Sequence, residues 1–164
     1  KTVLLHIAPE FFQTKLRFPM SISYGKWDDG DNSELLRTAL GYDLTYGKWN
    51  FAGEYLYSNY ENISLGANKG YADGKREGYF LKAAYRFNPK WRALVKYAHS
   101  ELYKTGLLNT MRSDSYDDTI LGLNYFLTDG ITLIGEYSHG EAATSDGSDK
   151  LNYNRGTIGA RVTF

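Results

Sequence analysis

The chain has 164 residues, with 19 basic and 19 acidic side chains and no cysteine. The charge balance argues against nucleic acid as a partner, the lack of cysteine excludes disulfide frameworks and thiolate metal sites, and no run reaches the ~18 apolar residues of a transmembrane helix. Fifteen tyrosines and 17 glycines against three prolines indicate an all-β chain.

The first predicted elements are two strands near the amino end. Residues 2–8 form a short apolar run, and residues 15–24 alternate apolar and polar side chains, as in a strand with one apolar face. Pro19 cannot donate a hydrogen bond to a ladder, so it weakens the prediction of a central strand at 15–24 unless it marks a bulge. Residues 1–13 contain no cleavage-site pattern after a long apolar run, so no targeting segment is predicted.

Three β-hairpins and a last strand follow, all with the same period-two alternation. The paired strands are predicted at 36–46 with 49–57, 79–87 with 91–98, and 119–127 with 131–137, and the last strand at 153–164. The tight turns are 47–48, 88–90 and 128–130, whereas the other connections are the long polar stretches 25–34, 58–77, 99–118 and 138–152. Short turns on one side and long loops on the other are typical of an outer-membrane β-barrel.

These elements predict an all-β fold, a transmembrane antiparallel β-barrel with meander topology in the outer membrane of a Gram-negative bacterium. Residues 1–164 would form a single barrel domain or the C-terminal portion of one. Eight strands are predicted from residue 15 onward, enough to close a small barrel. Residues 2–8 add a ninth strand that would begin outside the cell, which favours part of a larger barrel.

Aromatic side chains concentrate at both ends of the predicted strands, where their amphipathic rings suit the two water–lipid boundaries. The predicted girdle residues are Tyr46, Trp49, Phe87, Trp91 and Phe126 at the short turns, and Tyr24, Tyr55, Tyr57, Tyr97 and Tyr137 at the long loops. Ordinary cross-strand aromatic packing is the alternative interpretation.

Alternation places an excess of basic residues on the face opposite the apolar one. The predicted basic residues are Lys15, Arg17, Arg37, Lys82, Arg86, Arg92, Lys96, Arg155 and Arg161, and the acidic ones are Asp43, Glu54 and Glu136. In a wide barrel they would line a pore and favour anions. In an eight-stranded barrel the lumen is filled, and the same arginines would pair with the three acids as a polar plug.

The carboxyl end resembles the membrane-insertion signal of bacterial outer-membrane proteins. The matching positions are the polar Thr157, then Gly159, the apolar Val162 and the terminal aromatic Phe164. This resemblance implies that the outer-membrane assembly machinery is a partner.

Three segments of the chain resemble a known porin family. They are 42–57, 78–97 and 120–137, with the recurring elements Gly53-Glu54-Tyr55-Leu56-Tyr57, 78–85 and 122–127. The chain resembles, over about its last 130 residues, the C-terminal part of the phosphate-selective porin O and P family. That resemblance implies a barrel of about 16 strands with a basic constriction, which needs about twice this length.

Metal binding and catalysis have weaker support in the sequence. The loop acids Asp28, Asp29, Asp31, Glu34, Asp114, Asp117, Asp118, Asp146 and Asp149 suit Ca²⁺ or lipopolysaccharide bridging, but also an ordinary solvated loop. His99 and Ser100 are adjacent in a strand and point to opposite faces, so they cannot form a catalytic pair. His6 and His139 have no partner at metal-ligand spacing. We therefore predict no enzyme, no metal and no cofactor.

The predicted function is passive diffusion of small hydrophilic, anionic solutes through an outer-membrane porin. The expected partners are the lipid bilayer, lipopolysaccharide and other copies of the chain in a homotrimer or larger complex. One alternative is a complete eight-stranded barrel of the OmpA or OmpX type with a structural, adhesive or partner-binding role. A more distant one is a lipid-modifying enzyme of the outer membrane.

Overall fold

A computed structural model of the protein describes residues 2–12, 15–26, 34–64, 71–105, 111–143 and 150–163. This part of the chain is all-β. Over these ranges, no helix has the length and apolar character needed to cross a membrane. The strands are β1 (Thr2–Ile7), β2 (Glu10–Phe11), β3 (Leu16–Arg17), β4 (Met20–Lys26), β5 (Glu34–Tyr46), β6 (Trp49–Ser64), β7 (Tyr71–Asn88), β8 (Trp91–Thr105), β9 (Met111–Thr128), β10 (Ile131–Ala143) and β11 (Lys150–Val162).

The described strands form one antiparallel sheet with meander topology. Its order is β1-β4-β5-β6-β7-β8-β9-β10-β11, and the short β3 pairs with both β2 and β5. The predicted all-β antiparallel meander is therefore confirmed, and the predicted ninth strand at 2–8 is present as β1. The sheet is open over the described residues, because β1 and β11 are its edges and do not pair with each other.

The strand predicted at 15–24 is interrupted at Pro19. Two strands, β3 and β4, lie there instead, because proline has no N–H to donate to a ladder. The carbonyl oxygen of Pro19 still accepts from the Gly41 N–H at 2.8 Å, whereas the Phe18 N–H donates to the carbonyl of Pro9 at 3.1 Å. Pro19 thus marks a break in the strand rather than a bulge, and β3 pairs with β2 as well as with β5.

The strands extend well beyond the predicted loop boundaries. Residues predicted as loop that lie in β4 to β11 are 25–26, 34, 58–64, 71–77, 99–105, 111–118, 138–143 and 150–152. The predicted strand ends are wrong because they lie where the alternation of apolar and polar side chains stops. The ladder itself is held by backbone hydrogen bonds, which continue where both neighbouring side chains are polar.

The register divides the sheet into two faces, because directly opposed residues of an antiparallel pair lie on the same face. One series of opposed residues crosses the sheet through Arg37, Ser58, Arg76, Leu102 and Asp114. A cavity of about 540 Å³ lies against this face and is lined by the first three of these residues. We call this the concave face and the opposite one the convex face.

The sheet has little hydrophobic core. Among the described residues, the buried apolar side chains are Ala52 and Ala84, both on the concave face. Large apolar side chains on the convex face are instead exposed, including Leu81, Leu121 and Ile158, the last at 94%. An apolar exterior around a polar interior is typical of a barrel wall that faces lipid.

Two of the short turns are shaped by single residues. Gly47 has φ of 60°, in the left-handed region that glycine adopts without strain. The Asn88 carboxamide oxygen accepts from the backbone N–H groups of Lys90 at 2.9 Å and Trp91 at 3.0 Å, which closes the next turn.

Candidate functional site on the concave face

Eight of the nine predicted basic residues lie on the concave face, each opposite another residue of that face. The opposed pairs are Arg17–Asp43, Arg37–Ser58, Lys82–Lys96, Arg86–Arg92, Arg155–Ser138 and Arg161–Thr132. Lys15 lies just before β3, where its carbonyl oxygen accepts from the Thr45 N–H at 2.7 Å. The sheet therefore brings together positive side chains from β3, β5, β7, β8 and β11.

The three predicted acids occupy the same face. Glu54 is opposite Phe80, Glu136 is opposite Thr157, and Asp43 accepts a hydrogen bond from the Asn50 carboxamide at 2.6 Å. In the described part of the chain, none of the three acids forms an ion pair with a basic side chain. The pairing expected of a packed polar plug is therefore not found there.

Aromatic rings, rather than carboxylates, contact several of these cations. The Arg37 guanidinium lies 5.7 Å from the centre of the Tyr60 ring, and the Lys96 ammonium lies 4.6 Å from the centre of the Phe80 ring. The negative face of an aromatic ring attracts a cation without neutralising its charge. These two contacts therefore leave the positive charges of Arg37 and Lys96 in place.

Arg86 and Arg92 form the densest cationic group, at the short-turn end. Their guanidinium carbons lie 4.8 Å and 5.5 Å from the centre of the same ring, that of Phe126. With its carboxamide oxygen turned toward Arg92, Asn124 accepts from the guanidinium Nη2 at 2.7 Å and from Nε at 3.3 Å. Both arginines line a cavity of about 660 Å³, together with Lys48.

Sequence reasoning missed two members of this face and misplaced a third. Arg76 and Asp118 were assigned to loops, but they lie in β7 and β9 opposite Ser58 and Ala98. Continuing the period-two alternation beyond Tyr79 would have placed Arg76 correctly. Phe126 belongs to the concave face rather than to the predicted girdle, because it is two residues from Asn124 and shares its face.

Two buried polar side chains lie near each other on the same face. Asp118 is 7% exposed and Ser138 is 3% exposed, and the Asp118 Oδ1 and Ser138 Oγ have no hydrogen-bond partner among the described residues. The Tyr153 ring covers this region, since a Cβ added at the intervening Gly140 would lie 2.2 Å from the ring. Asp118 thus differs from its chain neighbour Asp117, which lies on the convex face.

The convex face carries every residue of the predicted aromatic girdle except Phe126. These residues are Tyr24, Tyr46, Trp49, Tyr55, Tyr57, Phe87, Trp91, Tyr97 and Tyr137. Cross-strand packing is present as well, because the ring centres of Trp49 and Tyr85, and of Trp91 and Tyr125, are 4.7 Å apart. The two interpretations of the aromatic residues therefore do not exclude each other.

A polar fringe lies on the convex face beyond the outer tyrosines. The Asp117 carboxylate accepts from the Tyr97 hydroxyl and contacts His99 Nδ1 at 2.8 Å, while His99 Nε2 is 3.4 Å from Glu101. A similar contact joins the Tyr55 hydroxyl to Glu77 at 2.8 Å. Hydrogen-bonded polar groups of this kind suit the headgroup region, where water satisfies whatever partners the protein does not.

The residues of the predicted insertion signal lie at the edge of the sheet, in β11. Thr157 is opposite Glu136 and Gly159 is opposite Ile134, both on the concave face, while Val162 is opposite Ile131. Phe164 lies outside the described residues. The positions of these residues in the strand do not test the insertion role, which stays a prediction.

No metal centre forms from the acids that the structure describes. Asp114 and Asp118 lie on the concave face and Asp117 on the convex face, and no group of three potential ligands converges within the described ranges. The predicted loop acids Asp28, Asp29, Asp31, Asp146 and Asp149 fall outside the described residues.

Known proteins resemble this chain in sequence pattern and in fold. Residues 6–164 match the model of the family described as phosphate-selective porin O and P. A solved structure, described as outer-membrane expressed OmpT of Vibrio cholerae, resembles the fold with a TM-score of 0.67 at 15% sequence identity. The likeness covers 99% of this chain and 56% of that one. No curated protein sequence matches the chain.

The family match and the fold likeness confirm different predictions. At 15% identity the likeness to OmpT shows the fold alone, and it confirms the predicted outer-membrane β-barrel architecture. The family match confirms the predicted resemblance and the location in the Gram-negative outer membrane. Because the match covers residues 6–164, nearly the whole sequence, the chain belongs to the phosphate-selective porin O and P family.

Proposed function

We propose that this chain forms part of the wall of a water-filled channel, through which small hydrophilic solutes diffuse across the outer membrane with a preference for anions. The observation that carries the proposal is the excess of basic side chains on the concave face. Among the described residues, Arg17 forms an ion pair with Glu10 at 2.9 Å, whereas Asp43, Glu54 and Glu136 form none with a basic side chain. A water-filled path lined by one sign of charge concentrates ions of the opposite sign.

The open sheet supports a channel wider than this chain alone could enclose. Lipid cannot hydrogen-bond a free strand edge, so a transmembrane sheet has to close. The edges β1 and β11 do not pair with each other in the described structure, and the chain spans 56% of the OmpT barrel that it resembles. In the proposed channel, further strands complete the wall, and the lumen is wide enough for water and solute.

In the proposed channel, each remaining partner contacts a different part of the chain. The convex face contacts the bilayer and, beyond the outer tyrosines, lipopolysaccharide. The outer-membrane assembly machinery recognises the carboxyl-terminal signal, and association into a trimer or larger complex uses part of the convex face. No covalent chemistry is assigned to any residue.

Planar-bilayer recording tests the proposal directly. The protein is reconstituted under a KCl gradient, and the reversal potential gives the ratio of chloride to potassium permeability. We expect stepwise currents with a ratio above one.

Lys82→Glu, on the concave face, should lower the ratio by about twofold or more. The matched control Lys75→Glu, on the convex side of the same strand, should leave it unchanged. A folded protein that carries no current contradicts the proposal and favours a structural or adhesive barrel.

A further inference from the structure

We infer that Phe126 is a positioning residue, which sets the anion preference by fixing the guanidinium groups of Arg86 and Arg92. The inference rests on the proposed function, since it names a determinant of selectivity for the same channel wall. It assigns that role to a side chain that carries no charge and that the sequence pattern places among the lipid-facing aromatics.

The geometry brings one ring beneath two arginines from different strands. Arg86 in β7 and Arg92 in β8 are directly opposite each other, and Arg92 is opposite Asn124 in β9. Phe126 is the next residue of β9 on the same face, so its ring extends the row at the short-turn end. Both guanidinium groups lie within the ~6 Å range of a cation–π contact.

Each guanidinium has a second fixed contact besides the ring. The Arg86 Nη2 donates to the carbonyl oxygen of Pro89 at 3.0 Å, in the turn between β7 and β8. Arg92 donates to the carboxamide of Asn124, which is only 4% exposed and therefore has little freedom to move. Two contacts per group define the direction of each planar guanidinium, which a single contact would leave free to rotate.

Like charges would separate if nothing held them together. Arg86 and Arg161 are both close enough to Arg92 to repel it. Among the residues that the structure describes, none of the three arginines forms an ion pair with an acid. The Phe126 ring attracts two of the three cations at once and so offsets part of this repulsion.

A neutral phenyl ring and a carboxylate would affect the charge of the channel wall differently. A carboxylate at this position would hold the same arginines but would cancel one positive charge of the wall. A phenyl ring holds them and leaves both charges facing the cavity at the short-turn end. The contacts of Arg37 with Tyr60 and of Lys96 with Phe80 repeat this arrangement elsewhere on the face.

The test compares three variants of the protein reconstituted in planar bilayers. Phe126→Ala removes the ring, and Phe126→Tyr keeps a π face in the same place. Leu127→Ala is the matched control, because it shortens the adjacent side chain on the convex face, which is 52% exposed. We expect Phe126→Ala to lower the chloride-to-potassium permeability ratio by about threefold, the size of one weak cation–π contact. Phe126→Tyr and Leu127→Ala should keep the ratio of the unmodified protein.

A second measurement separates this inference from the proposed function. Phenylglyoxal modifies guanidinium groups, and mass spectrometry locates the modified peptides. In folded protein, Phe126→Ala should increase the modification rate of Arg86 and Arg92 several-fold, with no change in Leu127→Ala. If the unmodified protein shows no anion preference but Phe126→Ala still shows this labelling change, the proposed function is overturned, while the fixing of Arg86 and Arg92 by the Phe126 ring is upheld. Unchanged selectivity and unchanged labelling in Phe126→Ala overturn the positioning role alone.

Discussion

The ring of Tyr42 lies directly over Gly53 on the neighbouring strand. A Cβ added to Gly53 would come within 2.6 Å of the Tyr42 Cε1 and 3.0 Å of the Phe80 carbonyl oxygen. The two residues are directly opposite each other on the convex face, and Gly53 is buried although it belongs to an otherwise exposed surface. The glycine therefore provides the space that the aromatic ring needs to lie flat against the sheet.

The first prediction is that Gly53→Ala destabilises the folded barrel. The added methyl group has to displace the Tyr42 ring or the backbone of β7, which costs about 1–3 kcal/mol. Urea unfolding of the protein in lipid vesicles, followed by tyrosine and tryptophan fluorescence, measures the free energy of unfolding. Gly156→Ala is the control, because Gly156 lies on the same face and nothing is within 4 Å of its added Cβ. Equal losses in both variants would contradict the steric explanation.

The second prediction concerns two adjacent aspartates with opposite surroundings. Asp117 accepts from the Tyr97 hydroxyl and contacts His99, so Asp117→Asn should lower the free energy of unfolding by about 1 kcal/mol. Asp118 is 7% exposed and its carboxylate interacts with the Tyr153 hydroxyl, but its Oδ1 has no partner among the described residues, so Asp118→Asn should lower stability less than Asp117→Asn does, or raise it. The same urea titration compares the two variants. A larger loss in Asp118→Asn would show that its charge is compensated in the folded protein.

The sequence predicts the fold more completely than it predicts the charged residues of the concave face. Period-two alternation places the strands and their faces, because lipid on one side and water on the other impose opposite requirements on neighbouring side chains. It fails at Arg76, where both faces are polar and the alternation disappears while the backbone ladder continues. It also fails at Phe126, because a phenylalanine that supports two arginines looks like one that faces lipid until its contacts are known.

The third prediction places two tryptophans at the inner water–lipid boundary. Trp49 and Trp91 are 44% and 39% exposed on the convex face, next to the short turns. Variants that retain a single one of them should be quenched more by lipids brominated near the headgroups than by lipids brominated at the chain ends. As a control, Phe80→Trp in a tryptophan-free background should resist both lipids, because Phe80 is on the concave face. Quenching of the Phe80 variant by either lipid would contradict the assignment of the faces.

The fourth prediction is that salt weakens the anion preference. In the proposed channel, the charges that carry this preference face a water-filled lumen, where mobile ions screen them over a Debye length of about 10 Å at 0.1 M and about 3 Å at 1 M. The chloride-to-potassium permeability ratio should therefore fall toward one as the KCl concentration on both sides rises, while the channel stays open. The reversal potential at a fixed concentration ratio measures this. Lys75→Glu, with its charge change on the convex side, should follow the same salt curve as the unmodified protein. A ratio that is independent of salt would indicate that a narrow constriction selects the ions by direct contact, rather than the field of the basic wall.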